Sequence, residues 1–126
     1  MKKTILSASA ILLALLTISC TQQSKKIFNG KDLNNWNFVV ENNAVPVDEV
    51  YGVKDGMIVI KGEPLGYMYT KEKYSNFTLE LEYRWANEAS NSGVFFLIEE
   101  PTNPFPNGIE CQLMAGKAGD LVLRGG

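Results

Sequence analysis

Strand signals are frequent in the chain after residue 26, and two stretches alternate apolar and polar residues with the period that a half-buried β-strand requires. The longest alternation lies within 74–85, where one face carries five apolar residues and the other carries Thr, Glu and Arg. No stretch in this part of the chain keeps a helical apolar period beyond two turns. The pattern therefore predicts a protein built almost entirely from strands, with 74–85 as its clearest strand.

Shorter strand candidates surround this alternation, and turn signals separate them. The runs 50–53 and 57–60 enclose Asp55-Gly56, and Asp-Gly between two β-rich runs predicts a hairpin with a type I′ turn. The remaining candidates are 65–70, 93–98, 109–114 and 120–124, with a proline-rich surface loop at 101–108. Many short antiparallel strands predict an all-β fold, an antiparallel β-sandwich or jelly roll. With only about seven strands in view, we expect this jelly roll to be incomplete.

The first twenty residues have the proportions of a lipoprotein signal peptide. Lys2 and Lys3 precede an uncharged run that is too short to span a bilayer core, which needs about 20 apolar residues. A small residue, Ser19, then stands directly before Cys20. We expect 1–19 to be removed, Cys20 to be acylated and 20–26 to form a polar tether to a domain at 27–126. An ordinary secretory signal with an incidental cysteine is the alternative.

Composition limits the chemistry that the chain can perform. It holds 12 Lys+Arg against 14 Asp+Glu, a net charge of −2, and no histidine. A mildly acidic chain without a basic run is not expected to bind nucleic acid or an anionic membrane by charge. Without histidine, any acid/base chemistry within these residues falls to carboxylates, Lys, Tyr or backbone. If Cys20 is acylated, Cys111 has no partner in the chain, and its apolar neighbours predict a small buried hydrophobe.

Four patches of sequence, in order, carry a resemblance to a known family. They are 27–36 (IFNGKDLNNW), 53–58 (VKDGMI), 74–85 with 91–95 (YSNFTLELEYRW, NSGVF) and 108–113 (GIECQL). Together they resemble the 3-keto-disaccharide hydrolase domain family, although the residues around 49–52 and after Leu113 depart from its pattern. The resemblance implies a concanavalin-A-like jelly roll with a concave carbohydrate-binding face.

The resemblance also implies an activity and a location. The activity is cleavage of a glycosidic bond in a sugar whose C3 hydroxyl has been oxidised to a ketone. The location is the bacterial cell envelope, and with acylated Cys20 we expect a lipoprotein of the outer membrane that faces the periplasm.

Candidate site residues follow if 74–85 and 109–114 are neighbouring strands, because their polar faces then converge. The catalytic candidates are Glu82, Arg84 and Glu110. The substrate-binding candidates are Asn91, Ser92, Gln112 and Trp36. The ketone of a 3-keto sugar acidifies its C2 proton, so a carboxylate could remove that proton while the C1 substituent leaves. Arg84, or a divalent cation held by Glu110, would stabilise the enediolate-like charge. The residues do not decide whether such a cation is a cofactor.

Three other interpretations remain open at this point. Alternating Glu and Arg on a strand is also typical of a solvated outer face with cross-strand pairs. The fold hosts both enzymes and non-catalytic carbohydrate-binding modules, so it does not decide between them. A chain that lacks part of its domain could also have no independent function.

Acylation of Cys20 can be tested by its removal. We expect Cys20→Ser to move the protein from the membrane fraction to the soluble fraction, because each buried acyl CH₂ contributes about 0.8 kcal/mol to membrane binding. Cell fractionation and incorporation of a labelled fatty acid measure the change, with Cys111→Ser as the matched control. Retention of Cys20→Ser in the membrane would contradict acylation at this residue.

Overall fold

The computed structural model describes residues 24–125, and within them the chain is a set of short antiparallel strands. The strands are β1 (Trp36–Val40), β2 (Tyr51–Lys54), β3 (Met57–Ile60), β4 (Gly66–Thr70), β5 (Gly93–Phe96), β6 (Gly108–Gln112) and β7 (Leu121–Arg124). Helix is confined to a 3₁₀ turn at Glu41–Asn43 and one α-helical turn, α1 (Val47–Val50). The predicted all-β antiparallel class is confirmed.

The amino-terminal predictions lie outside this description. The signal peptide at 1–19 and the acylation of Cys20 fall on residues that precede the described range. Within residues 24–125, no helix is long and apolar enough to cross a membrane.

The strands form three antiparallel sheets, ordered β1-β4, β2-β3 and β5-β6-β7. In the β2–β3 hairpin, Tyr51 pairs with Ile60 and Lys54 pairs with Met57. Asp55 and Gly56 join these strands with φ of 52° and 73°. Positive φ at both central residues is the signature of a type I′ turn, so the predicted hairpin is confirmed.

The core lies on one face of the β1–β4 pair. Val40, Val50 and Tyr51 are buried there, and Phe38 and Met68 pack against them. The rings of Phe38 and Tyr51 are tilted, with their centroids 5.2 Å apart. This contact brings the β2–β3 hairpin onto the β1–β4 pair. Strand β1 was not predicted, because residues 36–40 show no clear period-two pattern.

Gly66 has no side chain, and this allows Tyr51 to pack into the core. A Cβ on Gly66 would lie 2.9 Å from the Tyr51 hydroxyl and would collide with the carbonyl oxygen of Val39. A side chain at this position would therefore displace the ring of Tyr51. The Tyr51 hydroxyl is buried and has no hydrogen-bond partner among residues 24–125.

The opposite face of β4 contacts the three-stranded sheet. Tyr67 and Tyr69 lie on this face, and the Tyr67 ring meets Phe95 of β5 edge-on, with centroids 5.8 Å apart. Tyr67 is buried. Residues of β4 thus contact the hairpin on one side and β5 on the other.

The prediction of a strand at 74–85 is wrong. These residues belong to no sheet, and no backbone hydrogen bond between residues of the described range involves 74–89. Four apolar members of the alternation, Phe77, Leu79, Leu81 and Tyr83, stay 36–49% exposed. Alternation predicts which face of a strand is buried, but a strand also needs a neighbour that pairs with its backbone. No described strand supplies that neighbour here.

Burial of Tyr51 predicts a loss of stability at alkaline pH. Burial, followed by the charge of nearby Tyr67, raises the pKa of Tyr51 from 10.0 to about 12. Between pH 10 and 12 the unfolded chain releases this proton while the folded chain keeps it, so the free energy of unfolding falls as pH rises. Denaturant unfolding at a series of pH values measures this fall.

The Tyr51→Phe variant supplies the comparison. We expect a shallower alkaline fall and, at neutral pH, a free energy of unfolding about 1 kcal/mol higher, because a buried hydroxyl without a partner is removed. Tyr69→Phe is the control. An alkaline fall as steep in Tyr51→Phe as in the parent would contradict the assignment to Tyr51.

Candidate functional site

One face of the β5-β6-β7 sheet carries polar side chains in a buried setting. Glu110 and Gln112 project from the same face of β6, since they are two residues apart on a strand. Their cross-strand neighbours on this face are Phe95 and Gly93 on β5 and Val122 on β7. The predicted alternation of 109–114 is therefore confirmed over β6.

Glu110 is the most deeply buried charged residue of this face, at 6% exposure. Arg124 Nε and Nη2 both approach Glu110 Oε2, each at 2.7 Å. Removing a carboxylate from water costs several kcal/mol unless a cation and hydrogen bonds compensate, and Arg124 provides both. The guanidinium of Arg124 also lies over the ring of Phe105, 5.7 Å from its centroid.

The absence of a side chain at Gly93 leaves the space that the Glu110 carboxylate fills. A Cβ on Gly93 would lie 2.7 Å from Glu110 Cγ and 2.8 Å from Cδ, and closer still to Oε1. Real Cβ atoms do not approach other heavy atoms that closely. The position of Glu110 therefore requires glycine at residue 93.

Two further buried polar atoms in this part of the molecule have no partner among residues 24–125. They are Gln112 Oε1 and the hydroxyl of Tyr67, on side chains that are 7% and 8% exposed. Burial, followed by the charge of Tyr69, raises the pKa of Tyr67, so its hydroxyl stays protonated at neutral pH. Buried polar groups are nearly always paired, so these atoms are available to a polar ligand or to water.

Glu82 and Arg84 lie apart from this face. Both are exposed, and Arg84 Nη2 approaches Met57 Sδ at 3.5 Å, on the β2–β3 hairpin. No hydrogen bond or ion pair within the described range joins either residue to Glu110. The expected neighbour relation between 74–85 and 109–114 is wrong, because β6 pairs with β5 and β7. Catalytic roles for Glu82 and Arg84 stay predictions, and neither residue forms a hydrogen bond or ion pair with Glu110 in the described range.

The other predicted substrate-binding residues fall in two places. Asn91 and Ser92 are exposed and directly precede β5, and the Ser92 carbonyl oxygen accepts a hydrogen bond from Leu113 N at 2.8 Å. This bond places Ser92 beside the end of β6 that carries Gln112. Trp36 lies in β1, in a different sheet, with a buried indole N–H that has no partner among residues 24–125.

Arg124 was not predicted as a site residue. The sequence pattern predicts a strand at 120–124, but not which of its faces lies beside Glu110 of β6. The usable signal was Val122 and Arg124 at alternate positions, since Arg124 pairs across from Gly108, two residues from Glu110. A cation and a carboxylate on the same face of neighbouring strands are within ion-pair reach.

Neither a cluster of metal ligands nor a thiol lies on this face within residues 24–125. Within residues 24–125 there is no cluster of three His, Cys, Asp or Glu side chains that could hold a metal ion. Cys111 lies on the opposite face of β6, is half-buried and forms no disulfide in the part of the chain that the structure describes.

Comparison with known proteins identifies the domain. The sequence profile of a family described as a 3-keto-alpha-glucoside-1,2-lyase-like domain matches residues 23–125. The chain belongs to this family. The 3-keto-alpha-glucoside-1,2-lyase-like match includes every strand described above and confirms the predicted resemblance. No curated protein and no solved structure matches the chain. The family assigns the domain a carbohydrate-related function, and its name is that of a lyase-like activity.

The close fit of Glu110 over Gly93 can be tested by paired substitutions. We expect Gly93→Ala to lower the free energy of unfolding by about 1–3 kcal/mol, because the added methyl group displaces the Glu110 side chain. In a Glu110→Ala background the same change should cost much less, because the collision is gone. Chemical denaturation of the single and double variants measures the difference.

Gly52→Ala is the matched control, since a Cβ on this strand glycine meets nothing within 4 Å. Additive effects of Gly93→Ala and Glu110→Ala would contradict the contact between the two residues.

Proposed function

We propose that this protein cleaves the glycosidic bond of 3-keto sugars, with the Glu110 carboxylate as the base. The observation that carries the proposal is a buried carboxylate held by Arg124, on a domain of the 3-keto-alpha-glucoside-1,2-lyase-like family. Among residues 24–125, which include no histidine, a carboxylate on this face is a group that can accept a proton.

The chemistry follows from the ketone of the substrate. The C3 carbonyl stabilises negative charge at C2, so the C2–H bond breaks and its proton passes to Glu110. The C1–O bond then breaks, its electron pair leaves with the aglycone oxygen, and that oxygen takes up a proton. The product is an enone with a C1=C2 double bond, and addition of water at C1 would complete a net hydrolysis. No oxidant or reductant is needed in these steps.

The neighbouring groups support binding of a sugar at the same face. Gln112 Oε1 is an acceptor for a sugar hydroxyl, and the protonated Tyr67 hydroxyl is a donor. Ser92 and Asn91 lie at the end of the sheet where β6 exits, beside Gln112. These groups would orient the ring while Glu110 acts at C2.

Glu82, Arg84 and Trp36 take a different place in this proposal. They lie outside the β5-β6-β7 sheet. In this proposal they are candidates for contacts to a part of the substrate beyond the ring that Glu110 acts on. The proposal also keeps the envelope lipoprotein assignment, and the residue pattern at 1–20 is its support.

A non-catalytic carbohydrate-binding module is the second candidate. Arg124 already neutralises Glu110, and an ion-paired carboxylate can accept hydrogen bonds from sugar hydroxyls without moving a proton. The unpartnered atoms of Gln112 and Tyr67 fit such a role equally well.

Substitution of Glu110 separates the two candidates. We expect Glu110→Gln in the complete gene product to lower kcat on a 3-keto-glucoside by about 10²–10⁴-fold, since the variant cannot accept the proton. The assay measures release of the aglycone, with and without a chelator, and uses the unoxidised glucoside as the substrate control. Glu49→Gln, at an exposed position of α1, is the matched control.

Three outcomes are informative. Loss of turnover in Glu110→Gln, with binding of the 3-keto-glucoside retained in calorimetry, supports catalysis by Glu110. Unchanged turnover removes Glu110 from the mechanism. Binding of sugar by the unaltered protein without any cleavage supports the binding module instead.

A further inference from the structure

The ion pair between Arg124 and Glu110 is asymmetric. Two nitrogens of the guanidinium, Nε and Nη2, both approach the same oxygen, Oε2. Arg–carboxylate pairs commonly use two parallel bonds, one to each carboxylate oxygen. Here Oε1 accepts no hydrogen bond from any residue in 24–125. The two oxygens of Glu110 are therefore not equivalent.

Oε1 also has a distinct location. It lies over Gly93, in the space that a side chain at that position would occupy. Arg124 and Gly93 thus act on opposite oxygens of one carboxylate: the arginine holds Oε2, and the glycine leaves Oε1 without a side chain beside it. A half turn of the carboxylate exchanges its two identical oxygens and restores the same contacts, whereas any other rotation would break both hydrogen bonds to Arg124.

Arg124 is itself restrained in two ways. Its backbone lies in β7, in register with Gly108 of β6, so its side chain starts on the same face as Glu110. Its guanidinium lies over the ring of Phe105, 5.7 Å from the centroid. A planar fork with this support presents its donors in one orientation, which a flexible lysine ammonium would not do.

We infer that Arg124 is a positioning residue, which holds Glu110 Oε2 and thereby presents Oε1 as the atom that accepts the substrate proton. This inference rests on the proposed function, because it assigns a role within the same reaction. In that reaction the C2–H bond breaks, the proton passes to Oε1, and Oε2 keeps both hydrogen bonds to Arg124. Catalytic groups must keep a productive geometry, and a displacement of about 1 Å can cost 100-fold in rate.

Kinetics of Arg124 variants test this role. We expect Arg124→Ala to lower kcat about 100-fold while KM changes little, because the carboxylate remains but is no longer held. Arg124→Lys keeps the positive charge but lacks the planar guanidinium, and should recover only part of kcat.

Added guanidinium supplies a second test of the same role. At a concentration that leaves the protein folded, it should restore part of the activity of Arg124→Ala. It should not restore the Arg124→Ala/Glu110→Gln double variant. Lys117→Ala, at an exposed position, is the control.

A readout that does not depend on activity accompanies the kinetics. Crystal structures of the parent, Arg124→Lys and Arg124→Ala report the position of the Glu110 carboxylate, and melting temperatures report stability. We expect Glu110 Oε1 over Gly93 in the parent and a turned carboxylate in Arg124→Ala. A Glu110 side chain that keeps its place in Arg124→Ala would overturn the positioning role, as would an unchanged kcat.

The experiment also separates this role from the proposed function and from simple stabilisation. A parent protein that cleaves no 3-keto-glucoside, with a carboxylate that still turns in Arg124→Ala, refutes the proposed function and keeps the positioning of Glu110. A lowered melting temperature in Arg124→Ala, with kcat and its guanidinium response the same as in the control, would make Arg124 a structural residue and overturn the inference.

Discussion

The ion pair between the buried carboxylate of Glu110 and the partly exposed guanidinium of Arg124 is the interaction on which the candidate site depends. A carboxylate at 6% exposure is unfavourable without a cation, so β7 must lie in the register that brings Arg124 to the same face as Glu110. The carboxylate also needs the empty space over Gly93, which fixes glycine at the start of β5. One charged group thus constrains a residue on each neighbouring strand.

The aromatic residues around β4 set the surroundings of this site. Tyr51 packs with Phe38 on one side of the β1–β4 pair, while Tyr67 meets Phe95 on the other. Phe95 is the residue of β5 that pairs with Glu110. The same contact that joins the sheets therefore places the ring of Tyr67 beside Phe95, on the face that carries Glu110. Tyr67 therefore has two roles: its ring packs against Phe95, and its hydroxyl is a candidate group for binding substrate.

Local signals predicted part of this arrangement, and long-range pairing decided the rest. Asp55-Gly56 predicts its hairpin because the turn chemistry is contained in two residues. The alternation of 109–114 predicts which side chains share a face, and the motifs identify the family. The same kind of alternation failed at 74–85, because nothing in it states which strand, if any, pairs with that segment. Arg124 was missed for the related reason that its meaning depends on the register between β6 and β7.

The central claim is that Glu110, held by Arg124, removes the C2 proton of a 3-keto sugar. Exchange of the C2 hydrogen with solvent deuterium, followed by NMR on a 3-keto-glucoside with the complete gene product, measures that step directly, before any bond to the aglycone breaks. The account predicts enzyme-dependent exchange at C2 in the parent protein, and exchange at the background rate in Glu110→Gln. Cleavage of the 3-keto-glucoside at an undiminished rate by Glu110→Gln, with C2 exchange intact, would contradict it.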